Sequence, residues 1–177
     1  MKKLQIFFNL FRLWPHWLLY NFHKNKTTIQ YDAARWSSIT GAVSGKHLRF
    51  FILMTFYPEY RNLFYYRIGK FRLLVGWLCP GMNTLFISTG DIGPGLFIQH
   101  GFATIIAAKS IGRDCWINQQ VTIGYSNKTD CPEIGDNVTI SAGAKVIGGV
   151  KIGAHVTIGA DRKSTRLNSS HSSVSRM

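Results

Sequence analysis

Acidic residues are scarce in this 177-residue chain: eight Asp/Glu stand against 21 Lys/Arg, a formal net charge of +13. Cysteine is nearly missing too, with Cys79, Cys115 and Cys131 forming an odd number and no CxxC pair. That argues against a disulfide framework or a zinc knuckle and suits a reducing compartment. No run of about eighteen clean apolar residues exists, so no spanning helix is expected. The opening MKKLQIFFNLFRLW is broken by Arg12 and Pro15, with no small-residue cleavage site behind it. It does not read as a secretory signal. What remains is a cytoplasmic chain of one domain, or of one small domain with an appendage.

The positive charge is unevenly spread. Residues 1–80 carry twelve Lys/Arg against Asp32 and Glu59, a net of +10, whereas residues 91–160 carry five of each sign. In the basic part, Phe7, Phe8, Phe11, Trp14, Trp17, Tyr20 and Phe22 are interleaved with Lys2, Lys3, Arg12, Lys24 and Lys26. The pattern predicts helices over 4–22, 47–57 and 59–75, with 25–46 weakly structured. Two uses stay open. One is a cap packed on the rest of the chain or on a partner subunit. The other is an amphipathic surface on an anionic membrane, at the inner face of the cell. No nucleic-acid motif accompanies the charge, and charge alone is non-specific, so no nucleic-acid partner is expected.

From Ile92 to Ala160 an aliphatic residue returns about every six positions: Ile92, Ile98, Thr104, Ile111, Ile117, Ile123, Ile134, Ile140, Val146, Ile152, Ile158. A period of six fits neither a helix nor an ordinary strand. It fits a solenoid with three short faces per coil, one inward side chain per face and small residues at the corners. The step from Thr104 to Ile111 is seven, which predicts a bulge, and the step from Ile123 to Ile134 is eleven, which predicts a loop within Gly124–Glu133.

The runs IGPGLFIQHGFATI, IGRDCWINQQVTIG and IGDNVTISAGAKVIGGVKIGAHVTIGA resemble the hexapeptide-repeat acyltransferases, and among them the serine acetyltransferases. The resemblance implies a left-handed parallel β-helix over 85–160, preceded by a helical basic-aromatic region over 1–84. It implies a homotrimer or a multiple of it, and acetyl-coenzyme A as acetyl donor. It implies His100 as general base on an acceptor hydroxyl, a role for which a neutral imidazole is suited. His155 has no motif of its own and reads as surface. Gln119, Thr122, Gly124, Ser141, Ala142, Gly143 and Lys145 fall in the segments implied to line the coenzyme cleft. Gln99, Asn118, Asp130 and Cys131 fall where an acceptor would be held.

The chain departs from the family pattern around that base. Leu85 stands fifteen residues before His100, where a carboxylate partner is expected; Gln99 replaces an acid; Asp130-Cys131 replaces an Arg-His pair. A free amino acid needs opposite charges for its two ends, so these departures favour a saccharide hydroxyl as acceptor. L-serine in cysteine biosynthesis is the alternative, and a non-catalytic repeat scaffold the second. A zinc site on the repeat would need clustered histidines, and none lies within five residues of His100, so no metal is expected. After Ala160 the repeat stops. Asp161–His171 is similar to the translation of a sequencing adapter, so 161–177 is set apart as a non-native tail and the solenoid is expected to be cut short.

Overall fold

The computed structural model describes residues 2–41 and 45–165, and side chains between Asn9 and Ser164. Four α-helices come first: α1 (Lys2–Phe22), α2 (Lys26–Thr40), α3 (Lys46–Phe56) and α4 (Pro58–Ile68). A 3-10 turn (Gly69–Phe71) and the short α5 (Arg72–Val75) complete this region. α4 starts with Pro58 in its first turn, where the missing N–H costs no hydrogen bond. Thirteen short strands then wind a solenoid with three faces. The first face stacks β1 (Leu85–Ile87), β4 (Thr104–Ile106), β7 (Thr122–Gly124), β10 (Lys145–Ile147) and β13 (Lys163–Thr165). The second stacks β2 (Asp91–Ile92), β5 (Ser110–Ile111), β8 (Glu133–Ile134) and β11 (Lys151–Ile152). The third stacks β3 (Phe97–Ile98), β6 (Trp116–Ile117), β9 (Thr139–Ile140) and β12 (Thr157–Ile158). All pairings are parallel.

Registered stacking explains the repeat. Ile92, Ile111, Ile134 and Ile152 stand over one another on the second face, and Ile98, Ile117, Ile140 and Ile158 on the third. On the first face the column runs Ile87, Ile106, Ile123, Val146. The rung of β4 is therefore Ile106, not Thr104, although Thr104 is also buried. This relocates the predicted bulge. Two extra residues lie at the corner between Ile98 and Ile106, and the following step is one short. The corner that contains His100 is wider than those above it.

Residues 25–46, expected to be weakly structured, hold the 15-residue α2. Its buried face is Ile29, Asp32, Ala33, Trp36 and Ser37, a helical spacing in which polar residues hide the apolar signal. Asp32 is buried because Arg67 of α4 meets it at 2.8 Å. The Gly95 N–H donates to the same carboxylate at 2.6 Å, and Arg67 also donates to the carbonyls of Ile92 and Gly93. Burial pushes the Asp32 carboxyl upward, while Arg67 and the Gly95 N–H pull it back. Gly95 has φ +87, and a Cβ there would meet Asp114 Oδ1 at 2.2 Å, so no other residue fits this junction. Trp36 Nε1 donates to the Leu96 carbonyl at 2.8 Å, and Arg35 pairs with Asp114 at 3.1 Å. The helical region is thus a cap on the first coil. β13 lies beyond Ala160, within the stretch set apart as tail, because parallel ladder bonds need only backbone. Residues 166–177 lie outside the described residues.

Arg67→Ala should lower stability by about 3–5 kcal/mol in urea unfolding, since it strands a buried carboxylate. A second expectation concerns acid. His16 is buried against Tyr65, with its Nε2 2.9 Å from the phenol oxygen, and burial lowers its pKa to about 4. The unfolded imidazole, near 6.5, binds the proton first, so stability is full above about pH 6.5 and falls as pH drops toward 4. His16→Gln should flatten the melting-temperature slope in that window; an unchanged slope would count against this reading.

Candidate active site

The corner between the third and first faces collects the predicted residues. In the first coil it carries Gln99, His100 and Gly101; in the second, Asn118, Gln119 and Gln120; in the third, Ser141, Ala142 and Gly143. Backbone bonds tie these levels together: Gln99 N–H to Ile117 O at 2.8 Å, Asn118 N–H to Ile140 O at 3.0 Å, Gly143 N–H to Gln119 O at 3.1 Å. The turns are tight. His100, Ala103 and Gln120 have φ of 58°, 51° and 60°, and the Phe102 N–H folds back onto the His100 carbonyl. Left-handed residues recur at other corners, including Asp114, Asn137 and His155. The conformation is a way of turning the chain and does not by itself mark His100.

His100 is exposed and lines a cleft of about 310 Å³ with Gln99, Glu59, Tyr57, Thr40 and Trp36 among its walls. A larger cleft of about 940 Å³ lies between α5 and β1 and includes none of the predicted site residues. In the smaller cleft, Trp36, Phe97 and Trp116 form an aromatic wall, with ring centroids 4.6 Å apart in each step. Trp116 Nε1 is shared between Gln99 Oε1 at 3.1 Å and Asn118 Oδ1 at 3.2 Å. The two predicted acceptor amides are therefore oriented by one indole, which the sequence reading did not single out.

Glu59 was missed too. It comes from the first turn of α4, and both it and Leu85 pack on Gly101: a Cβ there would sit 3.1 Å from Glu59 Cγ and 3.0 Å from Leu85 Cδ2. A carboxylate thus stands beside the apolar residue that occupies the expected acidic position. Only tertiary packing brings it there, 41 residues before the histidine, so no local signal could find it.

On the first face, Lys145 is registered with Thr122. Its amine donates to Gln120 O at 2.8 Å and to Thr122 Oγ1 at 3.1 Å, and Gly124 ends the same strand pair. Thr122 and Lys145 therefore border the corner of Gln119 and Ser141–Gly143, whereas Gly124 lies at the opposite end of the strand, toward the Asp130 loop. Asp130 and Cys131 do not join them. Their loop leaves between β7 and β8, at the corner between first and second faces, and is closed on itself by Asn127 Nδ2 to Asp130 Oδ2 at 2.9 Å. Within one chain, a whole face separates them from the histidine corner. His155 sits at the third corner, between second and third faces, stacked by its N–H on Asp136 O at 2.8 Å. Among the described residues no group of three His, Cys, Asp or Glu could hold a metal ion.

Residues 131–161 match the family model described as bacterial transferase hexapeptide (six repeats). A serine acetyltransferase of Staphylococcus aureus (strain Mu50) is 44% identical over 87 residues, which span 47% of this chain and 41% of that protein. The chain spans less than half the length of the curated relatives it matches. Among solved structures, serine acetyltransferase isoform 3 of Entamoeba histolytica, in complex with cysteine, is 25% identical with a TM-score of 0.55. That likeness covers 88% of this chain and 64% of the other. Serine acetyltransferase 1 of the same organism, with L-cysteine, is 27% identical with a TM-score of 0.53, covering 79% and 61%. These likenesses agree with the left-handed parallel β-helix behind a helical region. The β-helix of this chain resembles the hexapeptide-repeat transferases, and among them the serine acetyltransferases.

Proposed function

We propose that the chain transfers the acetyl group of acetyl-coenzyme A to a hydroxyl of a free amino acid, L-serine, with His100 as general base. The observation that carries this is the shared corner: His100 stands one coil from Asn118–Gln120 and two from Ser141–Gly143. Small residues there let a thin pantetheine arm approach backbone, and Lys145 offers a cation beside it. The acceptor oxygen attacks the thioester carbonyl carbon as His100 takes its proton. The C–S bond then breaks, and the proton passes to the departing thiolate, leaving an O-acetyl ester and free coenzyme A. Backbone N–H groups of the corner are the available donors for the developing oxyanion.

The sequence-level preference for a saccharide rested on the lack near His100 of the carboxylate and the cation that the two ends of a free amino acid need. Glu59 supplies the carboxylate, and the relatives named above are serine acetyltransferases. Glu59 is suited to the ammonium of serine, while Gln99, Thr40 and Tyr57 supply neutral donors for its carboxylate. A trimer would complete the arrangement, because the Asp130–Cys131 loop can meet a histidine corner only from a neighbouring copy.

His100→Ala should cut turnover at least ~100-fold with coenzyme A binding kept, whereas His155→Ala should change little. A thermal shift with coenzyme A separates an enzyme from a bare scaffold, which would show none. Glu59→Gln should raise KM for serine about tenfold or more with kcat largely kept, as expected for lost ground-state binding. A fall in kcat with a displaced pH profile would instead make Glu59 the partner that orients His100. Turnover of sugar hydroxyls in place of serine would overturn the acceptor assignment.

A further inference from the structure

The helical cap buries one side of α1 and leaves an apolar side in water. Leu13, His16, Tyr20 and His23 face the core, while Trp14 (60% exposed), Leu18 and Phe22 (76%) lie on the opposite side at helical spacing. α5 and its flanks add Phe71, Leu73, Leu74 and Trp77, the last 76% exposed. The two segments run side by side: Phe71 meets His23 edge-on at 5.4 Å, and Arg12 reaches Cys79 Sγ at 3.9 Å. Around this ridge Arg12, Lys24, Lys26, Lys70 and Arg72 are exposed. Residues 1–84 hold only two acids, and neither reaches the ridge. Asp32 is buried on Arg67, and Glu59 belongs to the His100 cleft.

We propose that the α1–α5 ridge docks on an anionic lipid bilayer. Seven apolar side chains, four of them Phe or Trp (Trp14, Phe22, Phe71 and Trp77) and three Leu, match the headgroup boundary, and the cations beside them match lipid phosphates. A second copy is the poorer occupant, since a two-fold contact would set these cations against their own images with no carboxylate between them. No helix among the described residues is long and apolar enough to cross a membrane, so the contact is interfacial. This placement is independent of the acetyl-transfer chemistry.

The test uses the full chain with vesicles of phosphatidylcholine alone or of equimolar phosphatidylcholine and phosphatidylglycerol. Binding should require phosphatidylglycerol, weaken with salt and shift tryptophan emission to the blue. The variants Leu18→Glu/Leu74→Glu and Lys70→Glu/Arg72→Glu alter exposed side chains only, so circular dichroism and melting temperature should match the parent. Each should bind at least ~10-fold more weakly, given the apolar and charge contributions removed. Equal binding to neutral vesicles, or variants that bind as the parent does, would overturn the proposal. So would a dimer seen by light scattering that Leu18→Glu/Leu74→Glu abolishes, because the ridge would then belong to a second copy.

Discussion

Arg67 donates from one guanidinium to the Asp32 carboxylate and to the carbonyls of Ile92 and Gly93, all in a nearly dry junction. Two helices and the first turn of the solenoid are thereby joined at a point where neither charge can be left alone. The geometry downstream depends on this. With α2 fixed, Trp36 lies on Leu96 and Phe97 and forms one wall of the cleft. With α4 fixed, Glu59 at its start reaches Gly101 and Asn62 holds the linker, donating to Met82 O and Leu85 O at 3.0 Å. A solenoid alone would display His100 on an open corner; the cap gives that corner walls.

The corner itself follows from the coil. Stacked columns of Ile fix where each level turns, so residues 99–101, 118–120 and 141–143 must share one vertical edge. Three short segments far apart in sequence become one surface at the strand-to-strand spacing of a parallel sheet, about 4.8 Å per level. The same rule keeps the Asp130 loop and His155 on the two other edges. Their separation from His100 is a consequence of the three-faced coil and not of loop conformation.

Most of the solenoid was legible because its signal is local: one aliphatic residue per face, repeated. The reading slipped where two candidates for the inward site sit close together, at Thr104 and Ile106, since both are buried and only strand register tells them apart. α2 was illegible for a different reason. Its buried face includes Ser37 and Asp32, polar residues that look solvent-facing in sequence, and Asp32 is accommodated only because Arg67 is brought to it from 35 positions away. Glu59 and Trp116 were hidden likewise, the first by tertiary packing alone and the second because a Trp on a strand reads as bulk until its N–H finds Gln99 and Asn118. His100 and the small-residue segments were singled out through resemblance to a family, and the structure adds that they share an edge.

That shared edge is the central claim, and amide hydrogen exchange with and without coenzyme A addresses it directly. Protection should rise at Asn118–Thr122 and Ser141–Lys145, on the corner beside His100, and stay unchanged around His155. Protection that appears around His155 alone, or nowhere on the β-helix at saturating coenzyme A, would contradict the account.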